Sequence, residues 1–315
     1  MEDQILFGER ANQSILIEIS ANGLVHVTHD VGSGSSSRFV EFIRGSVDNV
    51  KVHDKNGGDV MFGEAGYGDI GGVTILSTVP VEVEYDLGDV LELVNGMWHW
   101  DYLYSYGNAK FYLPDGVNFV YVNDRYVELG NAKGLNCHGC GIALGYYIDA
   151  KPVIKNVEWE SEKIPVEIFS PHKTINFNFI QPDKIITVET ENPQIITFKI
   201  PLELLWNPYQ VYFIENVDKS SLISPQNVTE CNEKQDKITI QGTAKCYDKI
   251  FNNEIEIDED NVLLTIHPKK AGTIIILGTS AIPEFPLFMP LAIGILLVIL
   301  FQFRNKISFD STSIP

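Results

Sequence analysis

From Met1 to Pro201 no stretch carries a helical period for more than a turn; apolar residues recur instead at alternate positions, the pattern of a half-buried strand. Ser14–Ser20 (SILIEIS), the turn pair Asn22-Gly23 and Leu24–Val31 (LVHVTHDV) read as a hairpin, with His26, Thr28 and Asp30 on the wet face of its second limb. Arg38–Arg44, Val73–Thr78, Val81–Tyr85, Ala109–Leu113, Asn118–Val122, Arg125–Leu129 and Gly141–Asp149 continue the series. Turn chemistry separates them, at Asp54–Asp59 (DKNGGD), Pro114-Asp115-Gly116 and Asn123-Asp124. Gly32–Ser37 reads as a flexible loop and Gly63–Gly72 as a glycine-rich run. In Trp98–Tyr106 (WHWDYLYSY), Trp98, Trp100, Tyr102 and Tyr104 share one side of an extended chain. Such a face fills the space between two sheets, or alternatively offers a platform to sugars or peptides.

A second strand series begins near Ala150–Val157. It runs through Val166–Phe169, Ile175–Phe179, Ile185–Glu189, Ile195–Ile200, Val211–Ile214, Val262–His267 and Thr273–Gly278, with Asp218–Ile250 as an inserted hairpin. The expected fold is therefore all-β: two β-sandwich-like domains, 1–150 and 151–280, followed by a single C-terminal transmembrane helix. That helix is Phe285–Phe303, nineteen residues without a charge, about 28 Å long as a helix and so matched to the hydrocarbon core of a bilayer. Arg304 and Lys306 follow it directly, which places the tail 304–315 in the cytoplasm and the bulk outside. Export requires a signal peptide, and Met1–Phe7 has neither a basic region nor an apolar run. A truncated or mis-set start is expected over a cytoplasmic, tail-anchored arrangement.

The formal charge of −19 lies almost wholly before the anchor, and such a surface repels nucleic acid. No phosphate-cradling loop, nucleophile elbow or helix-loop-helix calcium spacing occurs. Four cysteines read as two disulfides in an exported chain, Cys137 with Cys140 and Cys231 with Cys246. Cys137-His138-Gly139-Cys140 also admits a metal reading, with copper or zinc held by Cys137, His138 and Cys140. A redox pair is the poorer fit, because no helix opens after it.

Pro283-Glu284-Phe285-Pro286, the apolar run and Arg304-Asn305-Lys306 resemble the C-terminal tails of archaeal surface proteins with a Pro-Glu-Phe sorting-type signal. Together with Trp98-His99-Trp100 and the Cys-His-Gly-Cys loop, the chain resembles uncharacterised surface proteins of ammonia-oxidising archaea. The resemblance implies a cell-surface protein and brings no activity with it. The expected function is that of a membrane-anchored extracytoplasmic protein with a structural or binding role, without catalytic residues or a cofactor. Its expected partners are the membrane, through Phe285–Phe303, and a surface protein or glycan. An extracytoplasmic copper, zinc or redox protein is the competing expectation.

Overall fold

The computed structural model describes residues 8–281 apart from 68–69, 139–140, 160–161, 171–174, 182, 192–194, 216–230, 241–242 and 251–252. The described residues form an all-β protein of several sheets, with no helix among them. The expected span Phe285–Phe303 and tail 304–315 lie outside them, as does Cys140. Among the described residues no helix is long and apolar enough to cross a membrane.

The first six-stranded sheet runs in the order Gly134–His138 (β14), Asn108–Tyr112 (β11), Gln13–Ile19 (β2), Val25–Val31 (β3), Val81–Gly88 (β8) and Ser46–Asp54 (β5). A four-stranded sheet holds Glu9–Arg10 (β1), Arg38–Glu41 (β4), Ile70–Ile75 (β7) and Phe62–Tyr67 (β6). An aromatic five-stranded sheet holds Arg125–Glu128 (β13), Phe119–Val122 (β12), Gly141–Tyr146 (β15), Met97–Leu103 (β10) and Glu92–Val94 (β9). Alternation dictates how they meet. Ile15, Ile17, Val25, Val27, Val83 and Leu87 leave the six-stranded sheet on one side, and Trp100, Tyr102, Leu144 and Tyr146 meet them in a single buried cluster.

After Val153 the strands pair among themselves. A second five-stranded sheet runs Val153–Trp159 (β16), Glu162–Phe169 (β17), Ile196–Pro201 (β20), Asn261–Ile266 (β26) and Asn253–Asp258 (β25). A second six-stranded sheet runs Ile175–Ile180 (β18), Ile185–Thr190 (β19), Gly272–Leu277 (β27), Gln210–Glu215 (β22), Thr243–Lys249 (β24) and Gln235–Ile240 (β23). Leu205–Trp206 (β21) and Ser280–Ala281 (β28) make a short ribbon. Val166, Ile196, Phe198, Leu264, Val188, Val211 and Ile274 form the cluster between these two larger sheets. The hairpin expected within Asp218–Ile250 is β23–β24, and it extends the second six-stranded sheet through β22 instead of standing apart.

The two halves stack through aromatic residues. Phe119, Val120 and Tyr121 are all buried, so β12 is covered on both faces. Val120 faces the first core, while Phe119 and Tyr121 join Tyr126, Tyr147, Phe169 and Ile195 in a separate cluster. Phe169, from the second half, lies 5.4 Å from Phe119 and 4.8 Å from Tyr126, ring centre to ring centre. Thr197 and Thr265 pair at 2.9 Å on the buried outer side of β20 and β26, and the Thr197 hydroxyl lies 3.5 Å from the Tyr121 hydroxyl of the first half. The Tyr126 hydroxyl in the same layer is buried without a partner, the one polar group of this aromatic contact left unsatisfied among the described residues.

Local turn chemistry follows the sequence closely. Asn123 and Asp124 both take positive φ, 51° and 68°, the hairpin geometry that asparagine and aspartate tolerate. Gly23, at φ +83°, is needed twice, because a Cβ there would also stand 2.6 Å from the Trp98 ring. Trp98 is only half-buried, a cover on the first core and not a member of it, whereas Trp100, Tyr102 and Tyr104 are interior. The loop Gly32–Ser37 is tied at its base. The buried Arg38 guanidinium donates to the carbonyls of Gly32, Ser77 and Val79.

Candidate functional site

The outward face of the first six-stranded sheet carries rows of mostly polar side chains, interrupted by Leu16 and fixed by register. One row across all six strands reads His138, Asn108, Ser14, Asp30, Glu82 and His53; the next reads Asn136, Lys110, Leu16, Thr28, Glu84 and Lys51. Every strand contributes its alternate residues, so the same pleat that buries Ile15, Val27 and Val83 presents these groups to solvent.

A shallow groove of about 560 Å³ crosses the middle of this face. Ser14, Leu16, Thr28, Asn108, Asn136 and His138 line it, together with the charged Lys110, Asp30 and Glu82. His138 Nδ1 and Asn108 Oδ1 are 2.9 Å apart across β14 and β11, a contact in which the ring N–H donates to the amide oxygen.

The far end of the face is charged. Lys55 Nζ lies 2.7 Å from Asp30 and 2.9 Å from Glu82 Oε1, and this pairing holds the Glu82 carboxyl below its ordinary value. The other Glu82 oxygen, Oε2, lies 3.2 Å from His53 Nε2, and Glu84 Oε1 lies 3.9 Å from the same nitrogen. One row away, His26 Nδ1 meets Asp86 at 2.9 Å and Asn49 donates to the second Asp86 oxygen at 2.7 Å, which lowers the Asp86 carboxyl.

A β-bulge puts His53 on this face. Val47 pairs with Leu87 and Val52 with Val83, both inward, although they stand five positions apart and strict alternation would set them on opposite sides. The extra residue falls between Asp48 and Lys51, where Asn49 takes φ +57°. Reading the sequence by alternation misses β5 for this reason, and with it His53.

Of the sequence-derived site residues, His138 falls at the opposite end of the same face. Cys137 lies at β14, buried and disulfide-bonded, opposite Ala109. His138, next to it, is exposed and hydrogen-bonded to Asn108, on the groove side. Cys137 and His138 end a strand, Gly134–His138, where the sequence suggested that a Cys-His-Gly-Cys loop begins. Cys231 and Cys246 form a disulfide with Cα atoms 5.5 Å apart, closing the chain on to β24. No protein-family model matches this chain, and no curated protein matches it either.

Proposed function

We propose that this is a membrane-anchored, extracytoplasmic binding protein, built as two β-sandwich-like units before a single span at Phe285–Phe303, with its tail in the cytoplasm. Cys137 and Cys140 form the second disulfide, in keeping with the bonded state of Cys137; a bridged sulfur is not available as a thiolate ligand, which favours this reading over a copper or zinc centre. The Pro-Glu-Phe tail belongs to the same proposal, as a surface-protein sorting signal.

The observation that carries the binding role is the groove on the outer sheet face. It is open and shallow, and amides, hydroxyls and an imidazole line it beside Leu16, Lys110 and the carboxylates of Asp30 and Glu82, drawn from five strands at fixed spacing. Such a surface matches a hydroxyl-rich ligand, and the ligand class is a cell-surface glycan. Rigid strands set the spacing, so recognition needs no rearrangement.

The purified full-length protein in detergent should bind polysaccharide extracted from the cell envelope. Asn108→Ala combined with Asn136→Ala should weaken that binding about tenfold or more, from two lost hydrogen bonds, without lowering the melting temperature. Unchanged affinity in the double variant, or no saturable binding to any envelope glycan, contradicts the reading.

A further inference from the structure

We propose that His53, Glu82 and Glu84 form a binding site for a divalent first-row transition metal ion, of which zinc is the representative probe. One imidazole nitrogen and two carboxylate oxygens from these residues lie within 4.8 Å of one another, all three side chains being only partly buried.

Backbone geometry brings them together. Glu82 and Glu84 are two apart in β8 and so leave the same face, while His53 in β5 pairs directly with Glu82. The Asn49 bulge is what turns His53 outward; without it the ring would point into the core and Val52 to solvent. Bulges recur in sheets where a side chain is re-aimed for a purpose.

The separations are close to those of a loaded site. With metal–ligand bonds of about 2.1 Å, donor atoms stand roughly 3.0–3.4 Å apart in octahedral or tetrahedral coordination. His53 Nε2 is already 3.2 Å from Glu82 Oε2 and 3.9 Å from Glu84 Oε1. Small side-chain rotations close the remainder.

Lys55 does not occupy the metal position. It takes Glu82 Oε1, together with Asp30, and leaves Oε2 turned towards His53. A cation bound to Oε2 keeps that ion pair intact, and the pair orients the carboxylate, as outer partners of ligating groups do. The donor set names the class of ion. An imidazole with two carboxylates suits zinc and its neighbours, whereas calcium and magnesium prefer shells made of oxygen alone. Three protein ligands on an open face leave further positions for water or for a donor from a bound partner.

Glu84 separates this proposal from a plain charge network. A network of His53, Glu82 and Lys55 closes without Glu84, but a three-ligand metal site does not. Titration of the full-length protein in detergent with zinc chloride, followed calorimetrically, should give one saturable site per chain. His53→Gln and Glu84→Gln should each weaken it about tenfold or more while preserving the melting temperature, since all three residues are on the outer face. Calcium at the same concentration should not compete. His138→Gln should leave the site unaltered. The proposal is overturned if either His53→Gln or Glu84→Gln binds zinc like the parent, if His138→Gln abolishes binding, or if zinc binds without saturation.

Discussion

Trp100→Ala should cost roughly 3–5 kcal/mol of folding stability, the range for removing a large aromatic side chain from a close-packed interior. Trp100 is only 4% exposed. Its ring meets Tyr102 at 5.4 Å and Phe111 at 5.8 Å, both edge-on, and Tyr102 meets Phe111 at 4.9 Å. Phe111 belongs to β11 and the other two to β10, so this trio joins the first six-stranded sheet to the aromatic sheet. Removing the indole leaves a void lined by rings fixed on two separate sheets, which cannot collapse cheaply. Denaturant unfolding of parent and variant is the check. A variant that keeps its stability but loses glycan binding would instead mean that the indole is a contact surface.

Acidification should destabilise the protein through His29 well before its carboxylates respond. His29 is fully buried on β3, and burial lowers its pKa from 6.5 to about 3. Its hydrogen bonds require the neutral ring. Nδ1–H donates to Gln13 Oε1 at 2.9 Å, and the Tyr85 hydroxyl donates to Nε2 at 2.9 Å while accepting the Ile43 N–H. Gln13 in turn donates to the Tyr104 hydroxyl, which donates to the Glu41 carbonyl. Every donor in this chain finds an acceptor with one tautomer, and a proton on Nε2 breaks it.

Because the folded pKa is depressed, the unfolded state binds the extra proton between about pH 6.5 and pH 3. The stabilisation is therefore complete above 6.5 and is lost as pH falls through that window, amounting to roughly 4–5 kcal/mol in all. Glu82 and Asp86, whose pKa values are also lowered, contribute above their unfolded values of 4.5 and 3.8 and lose that contribution only at lower pH. Stability measured by urea unfolding from pH 7 to pH 5 thus isolates the histidine. It should fall by about 2 kcal/mol in the parent and stay nearly level in His29→Gln. Equal slopes in the two proteins would contradict the assignment.

The strands that were legible in sequence are those with one clean apolar face. Val25–Val31 and Val81–Gly88 alternate without interruption, and the turns between strands carry the residues their backbone angles require. Three kinds of strand were not legible. Ser46–Asp54 changes face at its bulge, so its valines fall out of step. Asn253–Asp258 is an edge strand whose Ile255 and Ile257 remain exposed, which removes the burial contrast that marks a strand. Phe62–Tyr67 is glycine-rich and reads as a loop until its partner Ile70–Ile75 is in place.

The site divides in the same way. The signal at Cys137 and His138 was local and visible, as adjacent residues in one short motif. His53, Glu82 and Glu84 come from strands separated by a long stretch of chain, and only register brings them together. The stacking of the two halves was equally hidden, because nothing in the Phe119–Val122 alternation states that both of its faces are covered.

The central claim is that the acidic all-β block stands outside the cell on a single C-terminal anchor. Protease added to intact cells expressing the protein with an epitope after Pro315 tests it most directly. The bulk of the chain should be degraded while the epitope survives, on a short membrane-bound fragment. Digestion of the epitope, or survival of the intact chain until the membrane is permeabilised, would contradict it.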